Sequence, residues 1–163
     1  MNISRKQAMK VAVGMGAIAG MRSMVAPAIL SHYLAGRPEN GLLHSKLSFL
    51  RSTIFSRGVK LLAAGEVVGD KTPQAPNRIH PVSLLGRAAS GGLIGAAAFV
   101  YNKEKAWHGV VAGAAAAIAS AFLSFYLRKQ IGKDLNLNDK IVGAVEDIAV
   151  ITGGKAIMSN GRL

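Results

Sequence analysis

Charged side chains stand inside stretches that are otherwise apolar, and any chemistry in this chain has to be built from them. Arg22 lies at the centre of the apolar run Val11–Leu34, Glu66 near the end of Thr53–Gly69, and Glu146 with Asp147 inside Ile141–Met158. An ionisable group in such a segment is costly to desolvate, so it is either functional or paired. If Arg22 meets one or both glutamates, with Asp147 and Asp70 nearby, they form a polar site inside a helix bundle. Such a site would move a small solute or ion by alternating exposure, with a glutamate as proton acceptor if transport is proton-coupled. The alternative is a structural ion pair that orients helices and tolerates joint apolar replacement better than loss of one partner.

The most distinctive stretch is GEVVGDKTPQAPNRIHP, residues 65 to 81. Glu66 and Asp70 stand four residues apart on one helix face, and Lys71, Asn77, Arg78 and His80 follow on a loop stiffened by Pro73 and Pro76. This cluster suits an anion held by Lys71 and Arg78, or a cation held by the acids. It equally suits a helix that ends at Asp70 and Lys71 with Arg78 among lipid headgroups.

Other chemistry finds little footing. Gly14-x-Gly16-x-x-Ala19 imitates a dinucleotide fingerprint, with Glu39 about 20 residues on, but the chain lacks the alternating strands and helices that motif needs. Gly69-Asp70-Lys71-Thr72 and Gly153-Gly154-Lys155 lack the spacing of a phosphate-binding loop. His32, His44, His80 and His108 are scattered, and there is no cysteine, which removes disulfides, thiol catalysis and thiolate metal sites. No catalytic residue, metal or cofactor is expected.

The elements that must position the charges are helices. The chain has 163 residues, half of them hydrophobic but only 6% aromatic and 17% charged, with 19 glycines. That composition suits backbone-to-backbone packing in an all-α, polytopic transmembrane bundle, read here as a single membrane domain over 1–163. Ala106–Leu127 is uncharged throughout, ends in Arg128 and Lys129, and carries Trp107 and Phe125-Tyr126 where interfacial aromatic rings belong. Val82–Tyr101 is a second apolar segment, with Arg87 placed to snorkel. Val11–Leu34 is too long, and too charged at its middle, for a cleavable signal, and Pro27 predicts a kink within it. Thr53–Gly69 and Ile141–Met158 either span or re-enter, giving four or five crossings. Loops are expected over Ala35–Ser52, Asp70–His80, Asn102–Lys105 and Arg128–Lys140.

Gly16/Gly20, Gly65/Gly69, Gly91/Gly95 and Gly109/Gly113 are GxxxG pairs, each in an apolar segment and each a flat strip for a neighbouring helix or a second copy of the chain. An internal repeat is also visible. Leu30-Ser31-His32-Tyr33-Leu34 matches Leu123-Ser124-Phe125-Tyr126-Leu127, and residues 61–71 resemble 141–155 around a glutamate, which suggests halves over 5–75 and 82–158 in inverted orientation. The net charge of +12 suits anionic lipids or nucleic acid. The apolar segments favour a lipid bilayer as partner and make nucleic acid a minor reading. With five crossings the Lys and Arg residues do not gather on one side, so orientation stays open.

The chain resembles a family of bacterial membrane proteins catalogued as "domain of unknown function 4126". The resemblance rests on Gly20-Met21-Arg22, on Glu66-x-x-x-Asp70-Lys71-x-Pro73-x-x-Pro76-x-Arg78, on the Gly/Ala-rich third and fourth segments and on Glu146-Asp147. It implies a multi-pass protein of the bacterial inner membrane and supplies no substrate. A non-transporting scaffold or assembly factor, binding partner helices through its GxxxG faces, stands beside the transporter or channel as an alternative function.

Overall fold

A computed structural model describes residues 3–35, 42–69, 79–134 and 139–160. Among them are six α-helices: α1 (Ile3–Met21), α2 (Val25–Ala35), α3 (Thr53–Gly69), α4 (Pro81–Tyr101), α5 (Ala106–Asp134) and α6 (Asp139–Asn160). A turn of 3₁₀ helix, Ser48–Arg51, precedes α3, and no strand occurs among the described residues. The fold is all-α.

Glycine decides which helices touch. A Cβ on Gly95 would enter the carbonyl of Gly109, and one on Gly109 would enter that of Gly95; Gly91 and Gly113 oppose each other in the same way. The pairing of 91 with 113 and 95 with 109 makes α4 and α5 antiparallel. Their connection is short: Lys103 takes a positive φ of 57° and the Glu104 N–H returns 2.9 Å to the Phe99 carbonyl, closing α4 before α5 begins. On the other side of α5, Gly16 lies against Gly113 and Gly20 against Ala117 and Ser120, so α1 and α5 run parallel. The Ser120 hydroxyl donates to the Ala17 carbonyl at 2.7 Å across this seam. Three helices thus meet at near-backbone distance, with Phe99 of α4 buried between Ala8 and Ala12 of α1.

The first apolar run does not cross as one kinked helix. It breaks at Arg22–Met24, upstream of Pro27, and the chain reverses. Pro27 sits in the first turn of α2, where its missing N–H costs no intrahelical bond, so it ends up starting a helix where a kink was expected. The reversal is shown by α6. Gly14 of α1 faces Ile157 and Arg22 meets Asp147, so α6 runs antiparallel to α1. Gly154 of α6 packs against both Ile18 of α1 and Ile29 of α2, which places α6 in the opening of a V formed by α1 and α2. From the end of α2, α3 climbs back: Lys60 lies against His32 and Glu66 against Ser23 and Met24. α5 continues as helix to Asp134, beyond the apolar boundary at Leu127, because Arg, Lys and Gln are good helix formers.

Two helices, Pro81–Tyr101 and Ala106–Ile131, are long and apolar enough to cross a membrane by length and composition. α4 is largely packed inside the bundle, whereas α5 turns Trp107, Val111, Leu123, Tyr126 and Leu127 outward. Gly65 and Gly69 of α3 have nothing within 4 Å of a built Cβ, unlike the other three glycine pairs. Replacing Gly95→Ala should therefore destabilise the protein by about 1–3 kcal/mol. Gly65→Ala should instead be neutral or gain up to about 1 kcal/mol of helix propensity. Thermal unfolding of both variants in detergent checks the contrast.

Candidate functional site

The chain reversal leaves backbone groups with no helical partner. α1 ends with the carbonyls of Gly20 and Met21, and the turn before α2 presents the N–H groups of Ser23 and Met24. Each set is met by a side chain of the appropriate sign. Glu66 of α3 accepts from the Ser23 N–H at 2.8 Å, the Met24 N–H at 2.8 Å and the Ser23 hydroxyl at 3.0 Å. Arg87 of α4 donates through one Nη to the Gly20 carbonyl and, at 2.8 Å, to that of Met21, while its Nε donates to Ser83 Oγ at 3.2 Å. The Ser90 hydroxyl donates to the Ser23 carbonyl. An anion therefore sits at the N-terminus of α2 and a cation at the C-terminus of α1, each matched to the helix dipole it faces.

Arg22 is the residue at the turn itself. It is 1% exposed, and its Nε donates to Asp147 Oδ1 at 2.7 Å across a separation of 125 residues. A guanidinium buried to that degree requires a paired anion, since the charged form is otherwise prohibitively desolvated. The apex thus draws on α1, α3, α4 and α6 at once.

Glu146 belongs elsewhere. Neighbouring residues on a helix point about 100° apart, so while Asp147 faces Arg22, Glu146 faces α5 and lies 3.5 Å from Arg128. That pair borders a cleft of about 220 Å³ between α5 and α6, lined chiefly by apolar side chains and reaching down to Met21 beside the apex. The structure therefore brings Arg22, Glu66 and Asp147 to one place and sets Glu146 apart. Asp70, Lys71 and Arg78 lie outside the described residues. Arg87, Ser23 and Ser90 join the apex without having been singled out from the sequence. Arg87 does not snorkel: it is 4% exposed and turned inward onto the α1 carbonyls. Its position six residues after Pro81 carries no local signal that distinguishes the two fates. Chemically, the apex offers one buried carboxylate, Asp147, and one half-buried, Glu66, each already holding donors, and among the described residues no group of three or more His, Cys, Asp or Glu converges as a metal site.

The family model described as "Domain of unknown function (DUF4126)" matches residues 9–158. The chain belongs to this family. The matched span of this DUF4126 chain contains every residue of the apex. No curated protein and no solved structure matches the chain.

The apex makes a sharp energetic prediction. Asp147→Leu removes the 2.7 Å carboxylate partner of a buried guanidinium and should cost about 3–5 kcal/mol. Adding Arg22→Met to it should recover most of that loss, because the charge that the carboxylate balanced is then gone. A double-mutant cycle on unfolding in detergent measures the coupling directly.

Proposed function

We propose that this DUF4126 protein is a multi-pass protein of the bacterial inner membrane, and that the α1–α2 apex is the closed gate of a path for a small solute or ion. The observation that carries the reading is the depth at which the backbone breaks. The apex lies beside Ser120 of α5, about 20 Å along that helix from Trp107 and about 12 Å from Arg128. If Trp107 and Arg128 mark the two interfaces, the break lies within the roughly 30 Å hydrocarbon layer. Irregular backbone at that depth is tolerated only when buried in protein or lining a cavity, and ionisable groups there mark pathways more often than mere supports. Apolar helices hold a bundle together without them. Release of Glu66 or Asp147 from its donors, by protonation or by a competing ion, would open the turn.

In this reading α3, α4, α5 and α6 cross the membrane, and α1 with α2 enters and returns. The side on which α1 begins and α6 ends then carries Arg5, Lys6 and Lys10, Arg37, Lys46 and Arg51 between α2 and α3, and Lys103 and Lys105 between α4 and α5. The opposite side carries Lys71 and Arg78, then Arg128, Lys129, Lys133 and Lys140. The excess assigns the first side to the cytoplasm. The repeated segments run in opposite directions, α2 against α5 and α3 against α6, which supports the inverted halves proposed from sequence.

The chain has no cysteine, so single cysteines report topology cleanly. In intact cells a membrane-impermeant maleimide should label Lys129→Cys and leave Ser48→Cys and Lys103→Cys unlabelled until the membrane is opened. Lys6→Cys, ahead of the first run, should stay unlabelled with Ser48→Cys, and labelling of one of these two without the other would mean that the first run crosses completely.

A scaffold is the second reading, favoured because the apex charges are directly paired and the Gly65/Gly69 face of α3 is uncovered. Liposomes loaded with a pH-sensitive dye and given a potassium gradient separate the two. A gate predicts that the wild type speeds pH relaxation over empty vesicles and that Arg22→Met/Asp147→Leu alters the rate. A scaffold predicts no difference among wild type, the double variant and empty vesicles.

A further inference from the structure

Away from the apex, three basic side chains from three helices gather at the end of the bundle where α1 begins. His32 of α2 and Lys60 of α3 are in contact, with Lys60 Nζ 3.1 Å from His32 Nδ1. An ammonium only donates, so Nδ1 is the acceptor and the ring proton resides on Nε2, leaving the imidazole with one donor to offer. Lys155 of α6 joins His32, Ile29 and Tyr33 in lining a recess of about 370 Å³. Among the described residues no carboxylate lines this recess. The adjoining recess, bounded by Val11, Ala156, Ile157 and Asn160, adds Lys10 on the same end. Lys155 and His32 share the recess walled by Ile29 and Tyr33, and Lys60 reaches the same corner through His32; like charges gathered at one corner favour an anion that bridges them.

We propose that the α2–α3–α6 corner binds a phosphate group. A phosphate presents several acceptor oxygens, which suits donors arriving from three directions, and charge-assisted bonds to it are the strong kind. The Ile29 and Tyr33 wall accommodates an apolar extension of the ligand. At the boundary of an anionic leaflet the supply would be a phospholipid headgroup, and in the aqueous phase a free phosphate or phosphate ester. The site does not depend on whether the apex conducts.

The test uses the full chain in detergent. Native mass spectrometry with phosphatidylglycerol, against dioleoylglycerol as a lipid without phosphate, reads lipid binding, and calorimetry with inorganic phosphate reads the free anion. Lys60 and Lys155 are exposed, so Lys60→Gln/Lys155→Gln should fold normally. This variant is expected to bind about thirtyfold more weakly, whereas Lys103→Gln, on the same end but outside the recess, should not change binding. Weakened phosphatidylglycerol binding identifies the lipid as source, and weakened inorganic phosphate binding alone identifies the free anion. Equal effects of the two variants, binding of dioleoylglycerol as strong as that of phosphatidylglycerol, or no binding of either phosphate probe would overturn the proposal.

Discussion

The backbone donors and acceptors at the Arg22–Met24 turn, where Arg22 is buried and Ser23 and Met24 are half-buried, find their partners on the surrounding helices, and the rest of the architecture answers to that constraint. A helix that stops inside a packed interior leaves carbonyls at one end and N–H groups at the next beginning, each costly if unmet. Glu66, Arg87 and Ser90 meet them from two other helices. The side chain of Arg22 brings a further demand, met by Asp147 from a third. The turn therefore holds the bundle in register, because three other helices must arrive at the correct height for its groups to be satisfied.

Glycine makes the arrival possible. Where α1, α4 and α5 meet at Gly20, Gly91, Gly95, Gly109 and Gly113, there is no room for a single methyl group. This close approach is what lets Arg87 and Ser90 of α4 reach the end of α1. The α6 contact is of another kind: Ile18 and Ile29 straddle Gly154, so the wedge between α1 and α2 is a knob of branched side chains over a flat spot.

The helical class, most helix limits and the need of the charges at Arg22, Glu66 and Asp147 for partners were legible in the sequence, because apolar runs and charges within them are local signals. The reversal at Arg22–Met24 was not. Its cause is spread over Glu66, Arg87 and Ser90, distant in the chain, and the nearest local cue, Pro27, pointed to the wrong residue because a proline in a first turn and a proline at a kink look alike in one dimension. The same distance effect hid Arg87 and separated Glu146 from Asp147, since adjacency in sequence says nothing about which helix each side chain will face.

The pairing of Arg22 with Asp147 also sets a clock on synthesis. At about 5–20 residues per second, a ribosome takes roughly 6–25 seconds to reach Asp147 after Arg22 has been made, a gap of 125 residues. For that interval the Asp147 contact cannot form, so the packing of the first turn is completed only when the last helix arrives. The last helix to be made closes the contact that fixes the first bend of the chain.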